Sequence, residues 1–182
     1  MCSSDLPGLW PTLKHDQPIQ DGGVVAIETA LDDAKYFALR CVPIPDKKLV
    51  ATVAFVADSY QEMIDHVDQL ANQGCKFAIS PSIDIQWPQR LDHAKTVVGY
   101  GEILKFTPAV RSLILEQRLL HDGSEQLAEH VQRSVLVKSQ GSVAVSSQRS
   151  PGPIELCRTM IWAAALATRS NQGKPALGFS TV

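Results

Sequence analysis

The apolar run Val24-Val25-Ala26-Ile27 ends in a carboxylate, Glu28, and the acidic turn Asp32-Asp33 separates it from a second apolar run, Tyr36 to Val42. Two apolar stretches this short and this close read as neighbouring β-strands. Glu28 then lies on a strand buried on at least one face, where an unpaired charge is costly. Three compensations are open. The side chain faces water, it meets a basic partner, or it helps to bind a divalent metal ion. Alternation alone does not choose among them, because it does not distinguish the two faces of the strand.

The 182 residues suit one α/β domain with a core of its own. Hydrophobic residues make up 45% and charged residues 20%, a balance that excludes disordered and fibrous chains. A net charge of −2 exerts no general pull on nucleic acid, so contact with DNA requires a local basic patch. No apolar run approaches the roughly 20 residues of a membrane span. Met1-Cys2-Ser3-Ser4-Asp5 lacks the charged and apolar regions of a signal peptide. Cys2, Cys41, Cys75 and Cys157 form no Cys-x-x-Cys pair, which argues against a structural zinc site and a disulfide scaffold. The expectation is a cytoplasmic protein with reduced thiols and no membrane contact. The glycine motifs of nucleotide-binding P-loops and dinucleotide-binding folds are missing.

Residues 1–23 read as a linker whose Trp10 packs on the domain without forming an element of its own. The domain is expected over 24–169, with a loose tail over 170–182. Strands are predicted at 24–30, 36–43 and 49–57, and the short links between them imply an antiparallel meander. Asp58 or Ser59 caps a helix whose apolar positions Met63, Ile64, Val67, Leu70 and Ala71 run up to Gly74. Lys76 to Ser80 is a strand able to pair in parallel, because a helix separates it from the third strand. Further predictions are a strand at 96–100, a helix at 101–117 with Pro108 near a boundary or kink, and an extended segment at 118–121. A helix at 124–134, a weak hairpin at 135–145 and a last helix from Pro153 to about Arg169 complete the chain.

This element order, with its acidic first strand, resembles the C-terminal nuclease domain of the large terminase subunit of tailed phages, especially those of actinobacterial hosts. Four features carry the resemblance: Leu6-Pro7-Gly8-Leu9-Trp10; Val24 to Glu28 with Asp32-Asp33; Arg118-Leu119-Leu120-His121-Asp122-Gly123-Ser124-Glu125-Gln126-Leu127; and Ser146-Ser147-Gln148-Arg149-Ser150 running into Ile154-Glu155 and Ala163. The resemblance implies a ribonuclease H-like α/β fold: three antiparallel strands followed by parallel strands, with helices on both faces. It also implies a divalent-metal-dependent endonuclease that cuts concatemeric viral DNA during genome packaging. Its partners would be double-stranded DNA, the terminase ATPase domain, the small terminase subunit and the portal. Acidic residues of the first strand, the fourth strand and the last helix would converge on one or two Mg²⁺ or Mn²⁺ ions, which activate water and stabilise the leaving oxygen.

The chain departs from that pattern at each acidic position. The first-strand acid, usually Asp, matches Glu28, which carries its carboxylate about 1.5 Å further out. The fourth-strand acid matches Ser80, which has no charge. The last-helix acid falls at Pro153 or Glu155, of which only Glu155 could bind metal. The implied metal ligands are therefore Glu28 and Glu155, with Asp32 and Asp84 as nearby substitutes. Ser80 favours an alternative: a catalytically silent ribonuclease H-like module that binds DNA or a partner, or a prophage remnant.

Arg158 stands out because it lies within an apolar helix at i,i+3 from Glu155, where the two could form a local ion pair. His121-Asp122 reads as a capping and turn pair in which Asp122 serves the following helix. His66 reads as a solvated helix-surface residue, His130 as structural or solvated on the polar face of a short helix, and Trp87, Met160 and Trp162 as core. Lys47, Lys48, Arg111, Arg118, Arg133, Lys138 and Arg149 are the cations available for phosphate contacts.

Overall fold

The computed structural model describes residues 6–30 and 35–172. Three strands open the domain: β1 (Val24–Thr29), β2 (Tyr36–Ile44) and β3 (Lys48–Ala57). Helix α2 (Tyr60–Asn72) leads to β4 (Lys76–Ile79), the single turn α3 (Pro81–Asp84) and β5 (Lys95–Val97). Helix α4 (Tyr100–Leu115), strand β6 (Leu119–His121) and helix α5 (Glu125–Arg133) follow. The hairpin β7 (Val135–Ser139) and β8 (Ser142–Ser146) precedes the closing helix α6 (Glu155–Gln172).

The six-stranded sheet has the order β5-β4-β1-β2-β3-β6. β1–β2 and β2–β3 pair antiparallel, whereas β4 joins β1 in parallel, β5 joins β4 in parallel, and β6 joins β3 in parallel. The antiparallel pairs follow from links too short for a crossover. The parallel pairs follow from intervening helices. This is the expected meander followed by parallel strands.

Alternation along β1 assigns the two faces. Val25 and Ile27 join Met63, Ile64 and Val67 of α2 in one core, together with Phe77, Ile79 and Trp87. Val24 and Ala26 join the other core, built with α4, α5 and α6. Helix α6 lies across β1 and β2, and Met160, Ile161, Trp162, Ala163 and Ala164 are fully buried on it. The small side chains allow a helix apolar almost all round to sit close to the sheet. Glu28, two residues after Ala26, shares its face and so points towards α6.

Several local features differ from the sequence expectation. The lead-in segment forms two short turns, α1 (Leu6–Leu9) and a 3-10 turn over Trp10–Leu13. Trp10 is buried and stacks on His121, with ring centroids 4.3 Å apart. His121 Nδ1 accepts the Gly123 N–H at 3.0 Å, which leaves Nε2–H to donate to the Trp10 carbonyl at 2.8 Å. Pro108 lies inside α4 rather than near its boundary. Proline removes the donor for the Leu104 carbonyl, and the Ser142 hydroxyl of β8 replaces it at 3.0 Å. Strand β5 begins at Lys95, and α6 begins at Glu155 rather than at Pro153 and continues beyond Arg169. Gly23 enters β1 at φ +91°, where a Cβ would lie 2.4 Å from the Cys41 carbonyl oxygen.

Candidate functional site

Glu28 is only 7% exposed at the end of β1, beneath the first turns of α6. Its Oε1 forms an ion pair with Arg158 Nη2 at 2.9 Å. This pair corrects the local reading of Arg158, whose partner is a strand residue remote in sequence rather than Glu155. The guanidinium is held on two further sides. Nη1 donates to Ser147 Oγ at 3.3 Å, and the group lies 5.4 Å over the ring of Trp162. Trp162 Nε1–H in turn donates to the Gly99 carbonyl at 3.3 Å.

Glu155, also buried, occupies the first turn of α6, where a carboxylate complements the helix dipole. It lies close enough for its charge to act on Glu28. Burial pushes the Glu28 carboxyl up to about 7, Arg158 pulls it down, and Glu155 raises it further. The Oε2 atoms of Glu28 and Glu155 are both buried and accept no hydrogen bond.

Of the two readings of His130, structural or solvated, the structure bears out the first: the ring is buried. Its Nδ1 accepts the Leu156 N–H at 3.1 Å, satisfying one of the donors that the start of a helix leaves unpaired. Burial, and then the Arg133 charge, lower its pKa to about 4, so the ring is neutral near pH 7. The 4.0 Å approach of Nδ1 to Glu155 Oε2 is therefore a contact and not an ion pair. The alternation of Leu127, His130 and Val131 on one face of α5 is the signal that could have placed His130 in the core.

Ser80 follows Ile79, the partner of Ile27, and its N–H donates to the Ile27 carbonyl at 3.3 Å. It thus lies beside Glu28 on the neighbouring strand, and Ala78 before it shares the core of Ala26. Its hydroxyl is 3.0 Å from that of Ser82. Asp84, at the end of α3, pairs with Lys95 Nζ at 2.6 Å, and Lys95 also binds Asp92 at 2.8 Å. Asp32 lies outside the described residues. Ser124 is the N-cap of α5, its hydroxyl accepting from the Leu127 N–H, while Asp122 serves the turn before it by accepting from the Ser124 N–H at 2.9 Å. Its other carboxylate oxygen extends the β3 edge beyond β6, accepting from Thr52 Oγ1 at 2.6 Å and from the Val53 N–H at 3.1 Å.

The sequence matches no family model, and no curated protein matches it. Among solved structures, the crystal structure of the HK97 bacteriophage large terminase superposes with a TM-score of 0.72 at 11% identity. The match covers 91% of this chain and 43% of that one. The chain shares its fold with part of the HK97 large terminase. This chain spans less than half of the HK97 protein.

The residues present do not fit a two-ion metal centre. Two orphaned carboxylate oxygens could take a hard cation. Against this, the other oxygen of Glu28 is held by a fixed guanidinium, and Ser80 supplies no third carboxylate. No group of three or more His, Cys, Asp or Glu among the described residues is placed to hold a metal. No helix among them is long and apolar enough to cross a membrane. Beside Arg158 opens a depression of about 240 Å³, lined by Tyr100, Val145, Ser146, Ser147 and Gln148.

Proposed function

We propose that this chain is a ribonuclease H-like module of a tailed-phage packaging terminase that engages double-stranded viral DNA without cutting it. It works in the cytoplasm of the host, and the ATPase domain, small terminase subunit and portal are its partners in packaging. The observation that carries the reading is the ion pair of Arg158 Nη2 with Glu28 Oε1 at 2.9 Å. A guanidinium there supplies the positive charge that a metal ion would bring, but it cannot activate a water molecule. Ser80 supports the same reading, because a centre with fewer carboxylates binds hard divalent ions more weakly.

The test is to incubate the purified protein with supercoiled plasmid and Mn²⁺ or Mg²⁺, and to measure retention of a duplex over a salt series. The expected result is intact plasmid and salt-sensitive retention. Metal-dependent nicking that Glu28→Ala abolishes would overturn the silent reading. Failure to retain duplex at low salt would overturn the DNA-binding part.

One observation favours a second reading, a metal-dependent endonuclease. The orphaned Oε2 atoms of Glu28 and Glu155 are acceptors of the kind Mg²⁺ or Mn²⁺ takes. In that reading these two residues hold the ion, which would supply an activated water and charge for the leaving oxygen. The nicking assay separates the two readings.

A further inference from the structure

We infer that Arg158 is a resident cation that bars divalent ions from a latent carboxylate site formed by Glu28 and Glu155. The inference rests on the non-cleaving reading above and adds the residue responsible for it.

The guanidinium is fixed by contacts from three directions. Glu28 of β1 forms an ion pair with Nη2 at 2.9 Å, Ser147 after β8 accepts from Nη1 at 3.3 Å, and the Trp162 ring lies 5.4 Å from the guanidinium carbon. Its planar fork suits a carboxylate. A divalent ion approaching Glu28 would meet a fixed positive charge already bonded to that carboxylate, and the repulsion is strong in a buried setting. What remains around the guanidinium is incomplete. Glu28 and Glu155 each keep one buried oxygen with no donor. Removing the guanidinium would leave two buried carboxyl groups whose second oxygens have no donor, and a divalent cation is a compensation that oxygen ligands favour.

The test compares wild type, Arg158→Met, Arg158→Gln and the double variant Glu28→Gln/Arg158→Met. Thermal melts are recorded in chelator and in Mn²⁺. Wild type is expected to melt at the same temperature in both. Each Arg158 single variant should gain about 3–6 °C at a manganese concentration tenfold above its dissociation constant. The double variant should gain nothing. A single variant unfolded in chelator but folded in manganese shows the same gain; one unfolded in both counts against the inference. Terbium provides a second measurement, since Trp162 lies beside the vacated position and would sensitise its luminescence. Luminescence is expected in the Arg158 single variants and not in wild type or the double variant.

If neither single variant responds to manganese or terbium, the inference is overturned while the non-cleaving reading stands. If wild type itself is stabilised by manganese, the non-cleaving reading falls, and the inference falls with it.

Discussion

At the residue scale, Glu28 and His130 titrate in opposite senses. Burial first, and then Glu155, raise the Glu28 carboxyl from 4.5 to about 7 despite Arg158. Between those values the folded protein holds a proton that the unfolded chain has released. Stability from this group therefore falls as pH rises from 4.5 to 7, by about 3 kcal/mol in all. His130 is depressed from 6.5 to about 4, so in that window the unfolded chain binds the extra proton and stability falls as pH drops. The two contributions oppose each other where the windows overlap. Glu28→Gln should unmask the histidine: urea unfolding of that variant is expected to weaken on acidification from 6.5 towards 4.5 more steeply than in wild type. Parallel curves for the two proteins would contradict this assignment. Gly23 gives a simpler prediction. A Cβ there meets the Cys41 carbonyl oxygen at 2.4 Å, on a backbone with φ +91°. Gly23→Ala is expected to cost about 2–3 kcal/mol in urea unfolding.

At the element scale, α4 tolerates Pro108 because β8 lends it a hydrogen bond. The Ser142 hydroxyl meets the Leu104 carbonyl at 3.0 Å, the acceptor that proline leaves free. Ser142→Ala is expected to cost about 0.5–1.5 kcal/mol in the wild-type background. It should cost much less in Pro108→Ala, where the helix can make that bond itself. A double-mutant cycle of thermal melts measures the difference, and equal costs in both backgrounds would remove the explanation. This pair also shows where reading the sequence stops. Proline at a helix boundary is a sound local rule, but the compensating hydroxyl comes from an element that the local pattern does not mention. The strands were legible for the opposite reason. Short apolar runs with turn residues between them carry their own signal, and β1, β2 and β3 lie within a residue or two of where alternation puts them. The start of α6 slipped from Pro153 to Glu155, because what fixes it is the ring of His130, which accepts the Leu156 N–H.

At the scale of the whole molecule, the sheet order carries Glu28 on a central strand to a helix formed by the end of the chain. The architecture was readable from the order of elements, and Glu28, Glu155 and Ser80 were singled out from the resemblance. The partner of Arg158 was not readable. Spacing along a helix suggested Glu155, whereas the ion pair crosses from α6 to β1, and only the folded topology brings those residues together. Because Glu28 is buried and Arg158 largely so, losing one partner is worse than losing both. Arg158→Met is expected to cost about 3–5 kcal/mol, and Glu28→Gln/Arg158→Met markedly less, in chelator. Equal costs would show that the two residues do not interact. Whether a guanidinium stands where the family resemblance expects metal can be read from a crystal structure of the wild-type protein soaked in millimolar Mn²⁺. Arg158 is expected on Glu28, with no anomalous density beside them. An anomalous peak between Glu28 and Glu155, with Arg158 displaced, would contradict that placement.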